Sequence, residues 1–345
     1  MRLAGHPQVV GRHLLLLPCP ASLGAMQIGP DGAIRGEVRV AGHQRVAHGL
    51  YRPETADLKP WDNFLRDLSA LRLVLPADAV FTHVTGARLL GWQLPALPEQ
   101  VPHFAAVRGA NRPRRPGLIC SRLLHDSKTL VVHGLPVDDP AEVLLRAARD
   151  LGDLDLAVMV DSAARLGHVT DDAVRQVLVS KRPGTRRLRS VWQSRNERAE
   201  SAGETLLHKF HQILEVPTEP QVDIHDDDGH FICRADLVVV GTRNIHEYDG
   251  AVHRGKSVHR RDLRRERALT STSYVRRGYT LDDLLNHAAV VMHEFDRLLD
   301  RPHKAARLRA WRALVGDSLY SDTGRTRVMN RWYRSTNPVD WARTA

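Results

Sequence analysis

Ala235-Asp236-Leu237-Val238-Val239-Val240 is followed, after the polar break Gly241-Thr242-Arg243-Asn244, by Ile245-His246-Glu247-Tyr248-Asp249-Gly250. Both runs read as strands, yet they carry Asp236, Glu247 and Asp249. A charge in an apolar strand is costly unless a cation or hydrogen bonds accompany it, so the pattern points to a metal site. A hairpin loop over residues 241–244 sets Val240 against Ile245, Asp236 opposite Asp249, and Glu247 beside Val238. Side chains alternate faces along a strand, so the three carboxylates share one side of the sheet. Directly opposed Cβ atoms lie roughly 4.5–5.5 Å apart, close enough for two carboxylates to share a divalent ion.

Outward from this pair, the pattern continues as alternating helices and strands. Ser201-Ala202-Gly203-Glu204 is a capping-box sequence opening a helix to about Leu214. Residues 221–224 and 230–240 read as strands joined by Asp226-Asp227-Asp228-Gly229. That turn has the look of a calcium loop, but Ala235 stands where the terminal glutamate belongs, so a β-hairpin turn is expected. A basic helix over residues 258–268, a strand over 273–279 and a helix over 281–300 complete this half.

The chain has 345 residues and a formal charge of +10. That length allows two domains, and the charge suits an anionic partner. The excess is clustered: residues 108–122 hold Arg108, Arg112, Arg114, Arg115 and Arg122 without an acid, residues 181–198 are similarly basic, and residues 254–277 form a third block. Either solvated surface or a polyphosphate partner accounts for one such block; three beside a carboxylate cluster favour nucleic acid. Cys19, Cys120 and Cys233 lack paired spacing, which argues for a reducing cytoplasm. Leu14 to Leu17 is too short a run for a signal peptide and Pro18 and Pro20 interrupt it; no window approaches a membrane span. Residues 1–33 read as a disordered or non-native extension, with Met26 an alternative start.

In the first half, residues 49–52 suggest a strand, Pro60 leads a helix to about Leu73, and residues 79–92 read as a second helix. Short strands follow at 101–107, 117–123, 130–133 and 135–137. Asp139 as cap with Pro140 at the first helical position announces a helix to about Leu151. A helix over 154–166 and one capped by Thr170 come next. Residues 181–196 read as a basic, mobile linker.

At this point the residues resemble a known family. Ser201-Ala202-Gly203-Glu204, Gly229 to Leu237, Glu247-Tyr248-Asp249-Gly250-Ala251-Val252-His253 and Arg261-Asp262-Leu263-Arg264 are similar to the very-short-patch-repair-like branch of the PD-(D/E)xK endonucleases, over about residues 197–285. The resemblance implies a mixed sheet flanked by helices, with Mg²⁺ (or Mn²⁺) held where two central strands diverge by Asp236, Glu247 and the helix residue Glu204. Asp249 stands where most of the superfamily has lysine, and His253 fits a proton shuttle. Arg254, Arg260, Arg261, Arg264 and Arg267 would meet the DNA backbone. More weakly, Gln44 to Pro53, His83 to Trp92 and Gly134 to Val137 resemble AbiEi-type antitoxins, whose winged helix binds DNA; here only the wing end is recognisable.

The expected fold is therefore α+β and α/β: an antitoxin-like α+β region (34–180), degenerate as a winged helix and with a helical segment, a linker (181–196), a restriction-endonuclease-like domain (197–300), and a C-terminal helix and tail (301–345). The expected function is a cytoplasmic, metal-dependent DNA endonuclease in repair or mobile-element defence, with a cognate toxin as a further partner. The alternatives are an antitoxin-like DNA-binding regulator on an inactive nuclease fold, and an RNA-directed nuclease. Each residue also has a structural reading: Glu204 as capping partner of Ser201, Asp249 as a turn cap, His253 as a surface histidine, and Asp236 and Glu247 as acids held by hydrogen bonds or an arginine.

Overall fold

Short apolar strands and long amphipathic helices alternate through most of this chain, and the computed structural model describes residues 27–36, 41–109, 112–124, 129–226, 228–250, 267–270 and 272–336. Gln27–Ile28 (β1) pairs with Ile34–Arg35 (β2) across a 3-10 turn, so the extension expected to be disordered through residue 33 is ordered from Gln27 onward. His43–Ala47 (β3) and Leu50–Pro53 (β4) form a hairpin that completes an antiparallel sheet in the order β1-β2-β4-β3. Pro60–Leu71 (α1) starts on the proline that the sequence marks and lays Phe64 and Leu68 into the core.

The helix expected over residues 79–92 is interrupted. Val80–Phe81 (β5) is the middle strand of a five-stranded mixed sheet, and only His83–Leu89 (α2) is helical. Val and Phe favour a strand buried on both faces, and His83 enters the helix with a φ of 53°. His103–Val107 (β6), Leu118–Arg122 (β7), Leu130–Val132 (β8) and Leu135–Val137 (β9) complete this sheet in the order β7-β6-β5-β9-β8.

Pro140–Asp150 (α3) begins as its residues dictate: the Asp139 carboxylate accepts the Ala141 N–H at 2.9 Å. Asp153–Arg165 (α4) is buried on nearly every face. Its Leu156, Met159 and Val160 join the first core, while Leu154 and Val158 join the second, as a helix buried between two layers requires. Asp171–Val179 (α5) is capped by the Thr170 hydroxyl. The segment expected as a mobile linker is largely a helix, Thr185–Gln193 (α6), because Leu188, Val191 and Trp192 fall at helical spacing between the arginines and are buried.

Ala202–Ile213 (α7) then packs on a four-stranded sheet of Thr218–His225 (β10), Phe231–Val239 (β11), Asn244–Tyr248 (β12) and Val275–Tyr279 (β13), in that order, with β12 and β13 parallel. The helix expected over 281–300 breaks at Asn286 and His287 into Leu281–Leu285 (α8) and Ala288–Leu298 (α9). Ala305–Gly316 (α10) buries Trp311 in the second core; Asp322–Thr336 (α11) returns Val328 and Trp332 to the first. The expected tail is thus a pair of helices that ties the two halves together. Arg331 on α11 reaches Asp150 on α3 at 2.8 Å. Among the described residues no helix is long and apolar enough to cross a membrane.

Two buried polar contacts fix this arrangement and give it opposite pH signatures. Asp155 on α4 accepts the Leu319 N–H at 2.9 Å, and burial pushes its carboxyl up to about 7 despite that bond and the one from Gly152. His211 on α7 and His246 on β12 are joined at 2.8 Å between Nε2 and Nδ1. The Leu207 carbonyl, 2.7 Å from His211 Nδ1, needs a donor there, so in the neutral pair His246 donates to His211. Burial drives His211 down to about 4 and lowers His246 further.

A carboxyl raised in the folded state stabilises most below its ordinary value near 3.8 and loses that contribution as pH climbs through about 7. A depressed histidine does the reverse, losing stability as pH falls below its ordinary 6.5. Asp155→Asn keeps an acceptor for Leu319 and removes the charge. Its unfolding temperature should therefore fall less than the wild type's between roughly pH 5 and pH 8, when measured by thermal denaturation; an unchanged slope would contradict the assignment.

Candidate active site at the parting of two strands

β11 and β12 stay paired only briefly. Val238 lies opposite Ile245 and Leu237 opposite His246. The hairpin loop spans residues 240–243, one residue earlier than expected, because Thr242 folds back onto Val239: both its N–H and its hydroxyl donate to the Val239 carbonyl. This register puts Glu247, rather than Asp249, at the position facing Asp236. Moving the loop by one residue shifts the pairing by two, so the face of every side chain is kept.

Beyond His246 the two strands separate. β12 instead follows β13 in parallel register, with Ile245 opposite Arg276, Glu247 opposite Gly278 and Tyr248 opposite Tyr279. The Asp249 N–H extends that ladder to the Tyr279 carbonyl at 2.9 Å. The Asp236 carboxylate reaches into the opening and accepts the Tyr248 N–H at 3.0 Å.

Glu247 is buried, and Arg276 donates from Nε to its Oε2 at 2.5 Å and from a terminal nitrogen to Asp249 at 3.3 Å. A buried carboxylate requires such a partner. Arg276 comes from the strand beside β12 on the same face as Ile245, because parallel partners project together. Asp249 packs over Gly278, where a Cβ would overlap its carboxylate.

Glu204 arrives from the first turn of α7. Ser201 accepts the Glu204 N–H at 3.2 Å; Glu204 in turn accepts the Ser201 hydroxyl at 2.9 Å, the Glu200 N–H at 2.8 Å and the Gln221 amide at 3.1 Å. Its capping role is therefore real. Burial raises its carboxyl, and the negative charge of Asp236 adds to that rise against the hydrogen bond from Glu200. Gly203 lets the turn approach: a Cβ there would overlap the Tyr248 ring.

Asp236, Glu247 and Asp249 thus gather at one strand divergence, with Glu204 in electrostatic reach of Asp236. The set is oxygen-only, which fits Mg²⁺ or Mn²⁺. Among the described residues, however, the acid and histidine groups whose ligand atoms all lie within 4.8 Å of one another are Asp226, Asp228 and His230. These belong to the β10–β11 turn, where Asp226 accepts the Asp228 and His230 N–H groups, the hairpin expected there. Neither Glu204 nor Asp249 closes up with Asp236 and Glu247 to that distance.

His253, Arg254, Arg260, Arg261 and Arg264 lie outside the described residues. Arg267 is exposed and helical. Sequence reasoning placed Arg276 in a basic block without a role; the signal that assigns it is the parallel register with Ile245, which only pairing reveals. Comparison with protein-family models, curated proteins and solved structures returned no match.

Gly203→Ala should destabilise the protein by about 1–3 kcal/mol through overpacking against Tyr248. In chemical denaturation the Gly203→Ala/Tyr248→Ala pair should lose clearly less than the sum of the single changes. Additive losses would show that the α7 turn does not rest on that ring.

Proposed function

We propose that the chain is a metal-dependent DNA endonuclease. What supports this reading is the position of Asp236 and Glu247, which leave one face of the sheet where its strands part, with Arg276 seated on Glu247. Asp236 and Glu247 would hold the ion, and Glu204 would complete its surroundings through water. When bound, a divalent ion would neutralise phosphoryl charge and activate the attacking water.

The remaining work falls to the chain. Tyr248 N–H orients Asp236, and the α7 turn buttresses Tyr248 through Gly203. Arg276, already beside two carboxylates, supplies positive charge where the superfamily resembled here carries lysine two residues after the acid. Swinging from Glu247 toward a phosphate oxygen would exchange one anionic partner for another. Arg267 would contribute phosphate contacts that orient DNA without reading its bases.

The ion pair from Arg276 to Glu247 also favours a second reading: a DNA-binding, antitoxin-like regulator in which the guanidinium has replaced the ion and hydrolysis is lost. Supercoiled plasmid incubated with the protein and Mg²⁺, Mn²⁺ or EDTA separates the two. The nuclease reading expects metal-dependent nicking that drops to background in Asp236→Ala and in Glu247→Ala, both remaining folded by circular dichroism. Absence of cleavage with every metal, alongside duplex affinity that falls linearly on a logarithmic salt scale, would establish the regulator instead. A parallel RNA substrate tests polymer preference.

A further inference from the structure

A second feature lies in the other half of the molecule and does not depend on the nuclease reading. Four elements enclose a cavity of about 640 Å³: β7, α3, the segment entering α6, and the end of α11. Its lining includes Arg122 from β7, Arg146 and Arg149 from α3, Arg182, Arg334 from α11, and Arg112 and Arg114 from the loop before β7; among the described residues it contains no acidic side chain and no aromatic ring.

Three of these guanidiniums are fixed from behind. Arg146 donates from Nε to Asp138 at 3.0 Å and from one terminal nitrogen to the Ser121 hydroxyl at 2.8 Å. Glu142 grips Arg182 at 2.8 and 2.5 Å, and Asp150 holds Arg149 at 3.1 Å. Arg112, Arg114, Arg122 and Arg334 have no acid within ion-pair distance among the described residues. Arg146 is nine-tenths buried, and its other terminal nitrogen has no hydrogen-bond partner. A buried guanidinium N–H left unpaired is costly, and like charges converging on one cavity repel. An anion in the cavity relieves both costs.

We infer that this pocket binds a terminal phosphate group, carried by a free polyphosphate or nucleotide or by the 5′ end of a nucleic-acid strand. Guanidiniums present planar forks of donors that match phosphate oxygens. The buried position of Arg146 admits the compact end of a ligand; a duplex, whose phosphates are flanked by groove walls, would stay at the rim. Among the described residues the lining presents donors to phosphate and no ring to stack a base. Cys120 shares the lining, but burial pushes its thiol up to about 11, leaving it protonated and unsuited to nucleophilic chemistry. Arg334 arrives from the C-terminal helix, so a bound phosphate would tie α11 more firmly to the first core.

The test is calorimetric titration in EDTA, which silences any metal chemistry, with tripolyphosphate, ATP, and a single oligonucleotide bearing either a 5′-phosphate or a 5′-hydroxyl. Arg146 stays intact because it also supports Asp138; the variant is Arg122→Gln/Arg334→Gln, both positions exposed. Binding of tripolyphosphate or ATP, weakened about tenfold or more in the variant, supports a free phosphate ligand. Preference for the 5′-phosphate oligonucleotide, lost in the variant while tripolyphosphate fails to bind, supports a strand end. Equal binding of the two oligonucleotides without binding of tripolyphosphate or ATP, affinities unchanged by the double substitution, or no binding of any probe would overturn the inference.

Discussion

β12 is claimed by two neighbours running in opposite senses, and everything about the candidate site follows from that. Its antiparallel pairing with β11 ends at His246, while its parallel pairing with β13 continues through Tyr248. Past the Leu237–His246 pair β12 keeps only its β13 partner, so a gap opens beside β11. Backbone polar groups in such a gap need partners, and the Asp236 carboxylate supplies one by accepting the Tyr248 N–H. The buried His211–His246 bond holds the other face of β12 against α7, which prevents a register slip from carrying Glu247 into the apolar core.

The remainder of the fold keeps this sheet from standing alone. α4 is a wall common to two hydrophobic cores, and the C-terminal helices run from one core to the other. Where they cross, Gly152 is so close to the Asp317 carbonyl that any side chain would collide with it, and Asp155 receives the Leu319 N–H. Nucleic-acid chemistry at one end and anion capture at the other would thus be linked through packed helices rather than through a flexible tether.

Local signals carried much of this in the sequence. The Asp139-Pro140 start of α3, the Thr170 cap and the Ser201 cap are each decided within a few residues, and each is where its side chains require it. The shared face of Asp236 and Glu247 was legible because strand periodicity is local, even though the loop sits one residue earlier than its composition suggested. What could not be read depends on long-range packing. Arginines around Leu188, Val191 and Trp192 disguised a buried helix as a linker. Val80 and Phe81 looked like helix until a sheet formed on both sides of them. Trp332 finds its core only by returning from the far end of the chain, edge-on to Phe104 at 5.4 Å, and Arg276 finds Glu247 only through strand pairing. Likewise, the arginines at 112, 114 and 122 showed in the sequence only as a basic block suited to an anionic partner, and α3 and α11 are what close a pocket around them.

A divalent cation held jointly by Asp236 and Glu247 would make this strand divergence an active site. Anomalous diffraction from crystals soaked in Mn²⁺ tests it most directly. The expected result is a peak between those two carboxylates, with Arg276 turned away from Glu247. A peak confined to the Asp226, Asp228 and His230 turn, or none at all with Arg276 still seated on Glu247, would contradict it.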